Sequence, residues 1–165
     1  MKHWLTIIVA SLLLITAVTI GVASFRSMTR KTIGNGTVVK TMEGEKIAGA
    51  ASVYLAYGKN DYQRALDGDK IILLSFYADW CPFCRAEEPE IEVGFNNLAS
   101  DKLVGFRVNY NDSETDADEK ALADQYKITY QHTKVILKNG VEVFRTGDTW
   151  TKEDFASIVN PILAQ

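Results

Sequence analysis

The sequence predicts an α/β domain with a central mixed β-sheet flanked by helices, preceded by one N-terminal apolar helix. Three observations carry this expectation. Short apolar runs alternate with stretches of helical character in the order β-α-β-α-β-β-α. The last two strands meet at Asn139-Gly140, a strong two-residue hairpin signal. Residues 3–25 contain no Lys, Arg, Asp or Glu.

That first stretch is long enough to cross a hydrocarbon core of ~30 Å as a helix, and longer than a usual signal-peptide core. Gly21-Val22-Ala23 also offers small residues for a cleavage site after Ala23. A retained anchor and a cleaved signal both stay open, with length favouring the anchor. Arg26, Arg30 and Lys31 follow the segment, and the positive-inside rule taken literally keeps the domain in the cytoplasm. An N-terminal apolar segment ahead of one soluble domain points the other way. The expectation is a domain outside the cytoplasmic membrane, anchored, or secreted if the segment is cleaved.

Residues 26–50 are polar, small and dotted with glycine, and read as a tether with at most a short strand at Thr37–Lys40. The domain proper is expected over 51–165. Asn60-Asp61 can cap a short helix that ends at Asp67-Gly68-Asp69. Ile71–Tyr77 is apolar without alternation, as a strand buried on both faces requires. Pro82 opens a helix running to about Leu98, with Pro89 inside it. Leu103–Val108 is a second central strand, Asn111–Asp118 an acidic loop and Ala117–Tyr126 a helix. Lys134–Lys138 and Val141–Arg145 form the hairpin. Thr151, with Asp154 three residues on, opens a final helix to Leu163.

The 165 residues carry 18 Lys plus Arg against 21 Asp plus Glu, a net charge of −3. A mildly acidic domain is poorly suited to the phosphate backbone, so no nucleic-acid partner is expected. Two cysteines, Cys81 and Cys84, exclude a disulfide scaffold and a four-thiolate zinc site. They follow the loop Ala78-Asp79-Trp80 and open a helix. The unpaired first-turn amides there favour a thiolate, so Cys81 is expected to ionise below the ordinary ~8.5. Cys84, one turn on, is expected to be shielded. An exposed nucleophile beside a resolving thiol fits disulfide exchange with partner proteins, without a cofactor. An inert disulfide or half of a metal site are the competing readings.

The run Lys70–Pro89, with Phe76, Ala78, Trp80, both cysteines and Pro89 at matching spacing, resembles the active-site segment of the thioredoxin superfamily. Lys138-Asn139-Gly140 and Gly147 resemble its C-terminal hairpin. The resemblance covers 71–163 and implies a thioredoxin-like fold and thiol-disulfide oxidoreductase activity on protein thiols and disulfides, with a redox partner left unidentified. The Cys-Arg-Ala-Glu continuation and the N-terminal segment are more similar to membrane-tethered members that act outside the cytoplasmic membrane. The Pro-Phe pair between the cysteines is similar to glutaredoxins.

Three departures matter. Ser75 stands where thioredoxin has a buried acid, and Arg107 aligns with a thioredoxin lysine, keeping a redox-tuning cation nearby. Glu87 and Glu88 are the alternative proton relays, though an exposed helix face is the expected place for both. His132 stands where the family has its cis-proline, ahead of Thr133. A cis bond before His132 costs ~3–4 kcal/mol, so a trans peptide and a reshaped loop are expected. His132 then either tunes Cys81, completes a Cys81, Cys84, His132 metal site for zinc or copper(I), or is an ordinary loop histidine. Asp112, Glu114, Asp116, Asp118 and Glu119 read as solvated, without the offsets of a calcium loop. Trp80, Phe83, Gln131 and Thr133 are the expected partner-binding residues.

Overall fold

The computed structural model describes residues 42–165. The predicted apolar helix and the strand expected at Thr37–Lys40 lie outside the described residues. Among the described residues, no helix is long and apolar enough to cross a membrane.

The elements run β1 (Lys46–Ala48), β2 (Val53–Ala56), α1 (Lys59–Asp67), β3 (Ile71–Tyr77), α2 (Pro82–Asn97), β4 (Leu103–Asn109), α3 (Ala117–Gln125), β5 (Thr133–Lys138), β6 (Val141–Thr146) and α4 (Lys152–Leu163). The sheet order is β1-β2-β4-β3-β5-β6. β4 pairs parallel with β2 and β3; the other neighbours are antiparallel. The mixed sheet is therefore as expected, with two additions. β1 falls inside the segment read as a tether, and β2 was not anticipated.

Asp61 ties the segment ahead of β1 to α1. Its carboxylate accepts hydrogen bonds from the Glu43 N–H at 3.0 and 3.1 Å and the Gly44 N–H at 2.6 Å, and Arg64 Nη1 lies at 2.7 Å. It does not cap α1: Gly58 is the N-cap, without a side-chain bond. The cap expected at Thr151 does form, and α3 carries another. Asp116 with Glu119, and Thr151 with Asp154, are complete capping boxes at the starts of α3 and α4.

Two cores flank the sheet. Ile72, Leu74 and Phe76 join Tyr62, Phe106 and Leu122 on one face. Ile71 and Leu73 join Ile91, Phe95, Trp150 and Phe155 on the other, beneath α2 and α4. Two-residue alternation puts Ser75 on this second face, below the start of α2.

Candidate active site

α2 begins where β3 ends, and Cys81 is its N-cap, with φ −80° and ψ 114°. The Cys84 backbone N–H donates to Cys81 Sγ at 3.2 Å, and Pro82 occupies the first turn, where its missing N–H costs nothing. Both cysteines are free thiols. The expected contrast between an exposed and a shielded thiol is absent. Cys81 is 2% and Cys84 3% exposed, because both pack with Ala78 and Tyr77 in a small cluster. Burial pushes the Cys84 thiol up to about 12, with its hydrogen bond to Cys81 adding to the shift.

A cross-strand row lies beneath. Ser75 pairs with Arg107 on β4 and with Lys134 on β5. Partners in register share a face, so two cations flank the serine under α2. α2 answers with two acids. Glu87 Oε1 accepts from Lys134 Nζ and from the Trp150 N–H, each at 2.6 Å. Lys134 is fully buried, also donates to the Asp148 carbonyl at 2.6 Å, and lies 5.5 Å from the Trp150 ring centroid. Glu88 Oε2 accepts from the Tyr54 hydroxyl at 3.2 Å, and its Oε1 lies 3.5 Å from Arg107 Nη1. Oε1 is buried without a hydrogen bond. Burial pushes the Glu88 carboxyl up to about 7 against the pull of Arg107.

Glu87 and Glu88 are thus buried, not on the exposed face expected for them. Each has a cation to face, and that is what permits the burial. Lys134, Tyr54 and Trp150 were not singled out from the sequence at all.

His132 adopts φ 68°, and its N–H donates to the Phe76 carbonyl at 2.7 Å. No cis peptide bond occurs among the described residues. One ligand atom each from Cys81, Cys84 and His132 fall within 4.8 Å of one another. The ring also meets Glu87 Oε2, 3.3 Å from Nδ1, Thr149 Oγ1, 3.2 Å from Nε2, and the Phe83 ring, its centroid 6.1 Å away. Burial lowers the His132 pKa from 6.5, and Lys134 lowers it further.

Beside the cysteines, Trp80 is 50% and Phe83 65% exposed. The acidic loop braces this rim: Trp80 Nε1 donates to the Asn111 carbonyl at 3.0 Å and the Asp79 N–H to Asp112 at 3.2 Å. Gln131 is half-buried, whereas Thr133 is buried, paired with Phe76, and donates its hydroxyl to the Tyr130 carbonyl. The Thr133 side chain is therefore turned inward, away from a docking partner.

A family model described as Thioredoxin matches residues 53–161. The chain is 34% identical over 87 residues to "Thioredoxin H-type" from Fagopyrum esculentum, covering 51% of this chain and 66% of that one. It is 34% identical over 93 residues to "Thioredoxin-like protein YneN" from Bacillus subtilis, covering 56% and 45%. The match thus spans less than two thirds of either relative. The solved structure of Trxlp from Edwardsiella tarda superposes with a TM-score of 0.54 at 28% identity, over 63% of this chain and 95% of that one.

Proposed function

Because the chain belongs to the thioredoxin family over residues 53–161, we propose that it is a thiol-disulfide oxidoreductase that exchanges disulfides with partner proteins through Cys81 and Cys84. The observation that carries the reading is the Cys84 N–H aimed at Cys81 Sγ at 3.2 Å, at the N-terminus of a sixteen-residue helix. A hydrogen-bond donor and the partial positive charge of the helix terminus both face this sulfur.

The Cys81 thiolate attacks one sulfur of a partner disulfide, that S–S bond breaks, and the second partner sulfur leaves as a thiolate. Cys84 then loses its proton and attacks Cys81 Sγ. The Cys81–Cys84 disulfide forms and the first partner sulfur is released. Two electrons pass to the partner, and the reverse sequence oxidises a partner dithiol. A thiol held near 12 needs a base at neutral pH. Glu88 fits that role: it is one helical turn beyond Cys84, has an oxygen that makes no hydrogen bond, and is held at about 7. Arg107 tunes the reaction through Glu88, and His132 tunes it from beside the sulfurs. Trp80 and Phe83 form the apolar rim on which a partner chain docks, with the Gln131–Thr133 loop alongside.

The test is disulfide reduction in insulin by the dithiothreitol-reduced protein. Cys81→Ser abolishes it, while Cys84→Ser accumulates a partner-linked mixed disulfide. Wild-type turnover by Cys81→Ser, or no turnover by wild type at any redox poise, overturns the proposal. Export, with residues 1–25 as anchor or cleaved signal, belongs to the same reading and is supported by the length of the apolar segment. Protease digestion of the domain on intact cells checks it, and N-terminal sequencing tells anchor from cleaved signal.

A further inference from the structure

We propose that the reduced protein holds one Cu(I) ion on Cys81, Cys84 and a ring nitrogen of His132. The donors are already gathered: one ligand atom from each falls within 4.8 Å of the others. Metal–sulfur bonds of ~2.3 Å and metal–nitrogen bonds of ~2.0 Å leave such donors ~4 Å apart, so closure asks for under ~1 Å of movement. Two thiolates and an imidazole are the soft set that selects Cu(I) or zinc.

Three observations beyond the cluster bear on the ligand. His132 is held at φ 68° by the bond from its N–H to Phe76, so the backbone of a strand end fixes where the ring emerges. A side chain in the left-handed region is strain that the surrounding structure must hold in place. The Nδ1 atom is buried with no hydrogen bond. Each nitrogen also has an outer neighbour, Glu87 at 3.3 Å from Nδ1 and Thr149 at 3.2 Å from Nε2. Whichever nitrogen turns to the sulfurs, the other is oriented, as metal-bound histidines generally are.

Donor count decides between the metals. Among the described residues the cluster has three donors, and no fourth histidine, cysteine or carboxylate joins it. Zinc takes four ligands, so here it needs a water. With the cysteines 2% and 3% exposed, little of either sulfur faces solvent. Cu(I) is content with trigonal coordination. On binding, the two thiols lose two protons to solvent, the metal enters and stays as Cu(I), and no electron is transferred. Metal and Cys81–Cys84 disulfide exclude one another, so a loaded chain is closed to exchange. The metal site is independent of the exchange activity in its metal-free form.

The experiment uses the full chain, reduced and anaerobic, titrated with Cu(I) against a chromogenic Cu(I) chelator. One ion per chain is expected, with affinity at least tenfold weaker in His132→Asn, a residue that tolerates positive φ. X-ray absorption of the loaded wild type is expected to give two sulfurs and one nitrogen at bonding distance, a readout that needs no variant to fold. Equal affinity in His132→Asn, or a spectrum with sulfur alone, overturns the site. Zinc retained under competition that strips Cu(I) overturns the choice of metal. Insulin reduction by the metal-free protein, measured alongside, separates failure of this site from failure of the exchange activity.

Discussion

Lys134 Nζ stands 2.6 Å from Glu87 Oε1, with side-chain exposures of 0% and 3%. A sheet lysine and a helix acid thus meet in the interior directly below the cysteine pair's helix. Removing one member leaves the other as an unpaired buried charge, at a cost of about 3–5 kcal/mol. Lys134→Met and Glu87→Gln are each expected to destabilise the fold on that scale. The double variant Glu87→Gln/Lys134→Met is expected to lose clearly less than the sum. Urea unfolding of all three checks this, and strictly additive losses contradict it.

Glu88 sets a pH dependence of stability. Its carboxyl rises from the ordinary 4.5 to about 7 on folding, chiefly through burial. Between those values the folded chain holds a proton that the unfolded chain has released. This group's contribution to stability is therefore complete below pH 4.5 and is lost as pH rises through 7. Glu88→Gln has no such proton, so its stability relative to wild type rises across the window and levels off above it. Unfolding free energies at pH 5, 6, 7 and 8 test the sign; a gap constant from 5 to 8 shows that the acid titrates at its ordinary value.

The same acid is expected to appear in kinetics. If it takes the Cys84 proton, resolution of a Cys81 mixed disulfide accelerates as Glu88 ionises, with an inflection near 7. Glu88→Gln removes that inflection and slows resolution at neutral pH by roughly 10- to 100-fold. Stopped-flow release of a chromophoric thiol from the mixed disulfide reads both. An unchanged pH profile in the variant removes Glu88 from the mechanism.

His132 at φ 68° divides substitutions by backbone tolerance. Asparagine is expected to stay within about 1 kcal/mol of wild type, because its short amide accepts the left-handed region. Valine, stiff and β-branched, is expected to cost about 1–3 kcal/mol. Proline, locked near −65°, cannot take this conformation and forces the loop to rebuild. Denaturation midpoints rank the three; valine equal to asparagine refutes the backbone argument.

Gly94 of α2 lies directly against the Phe155 ring of α4. A Cβ there falls 2.5 Å from Phe155 Cγ, so the buried Phe155 ring has to shift to admit it. Gly94→Ala is expected to cost about 1–3 kcal/mol, and Phe155→Leu in the same chain to recover part of it. Thermal melts of the single and double variants provide the check.

Strong local signals made most of the architecture legible in advance. The apolar run at Ile71–Tyr77, the Asn139-Gly140 turn and the Thr151–Asp154 box each gave its element close to its observed bounds. β1 and β2 escaped because they are three and four residues long and sit among Gly, Ala and Ser, with order supplied from a distance by Asp61. The buried acids were hidden by composition: an Ala-Glu-Glu-Pro-Glu run reads as solvated. The spacing nevertheless carried the signal, since Cys84, Glu88, Ile91 and Phe95 fall on one helical stripe, all buried. Lys134 gave no such warning. Its burial depends on Glu87 and Trp150, 47 residues before it and 16 after, a tertiary fact that local pattern does not contain.

The strand order has a mechanical consequence. A pull arriving from the N-terminal side of Met42 meets first the two amides clamped by Asp61, then β1 at the sheet's edge. The strand leading to the cysteines lies three places further in, behind β2 and β4. Tension is therefore spent peeling a three-residue edge strand, and the geometry at Cys81 is shielded from the load until β2 and β4 give way.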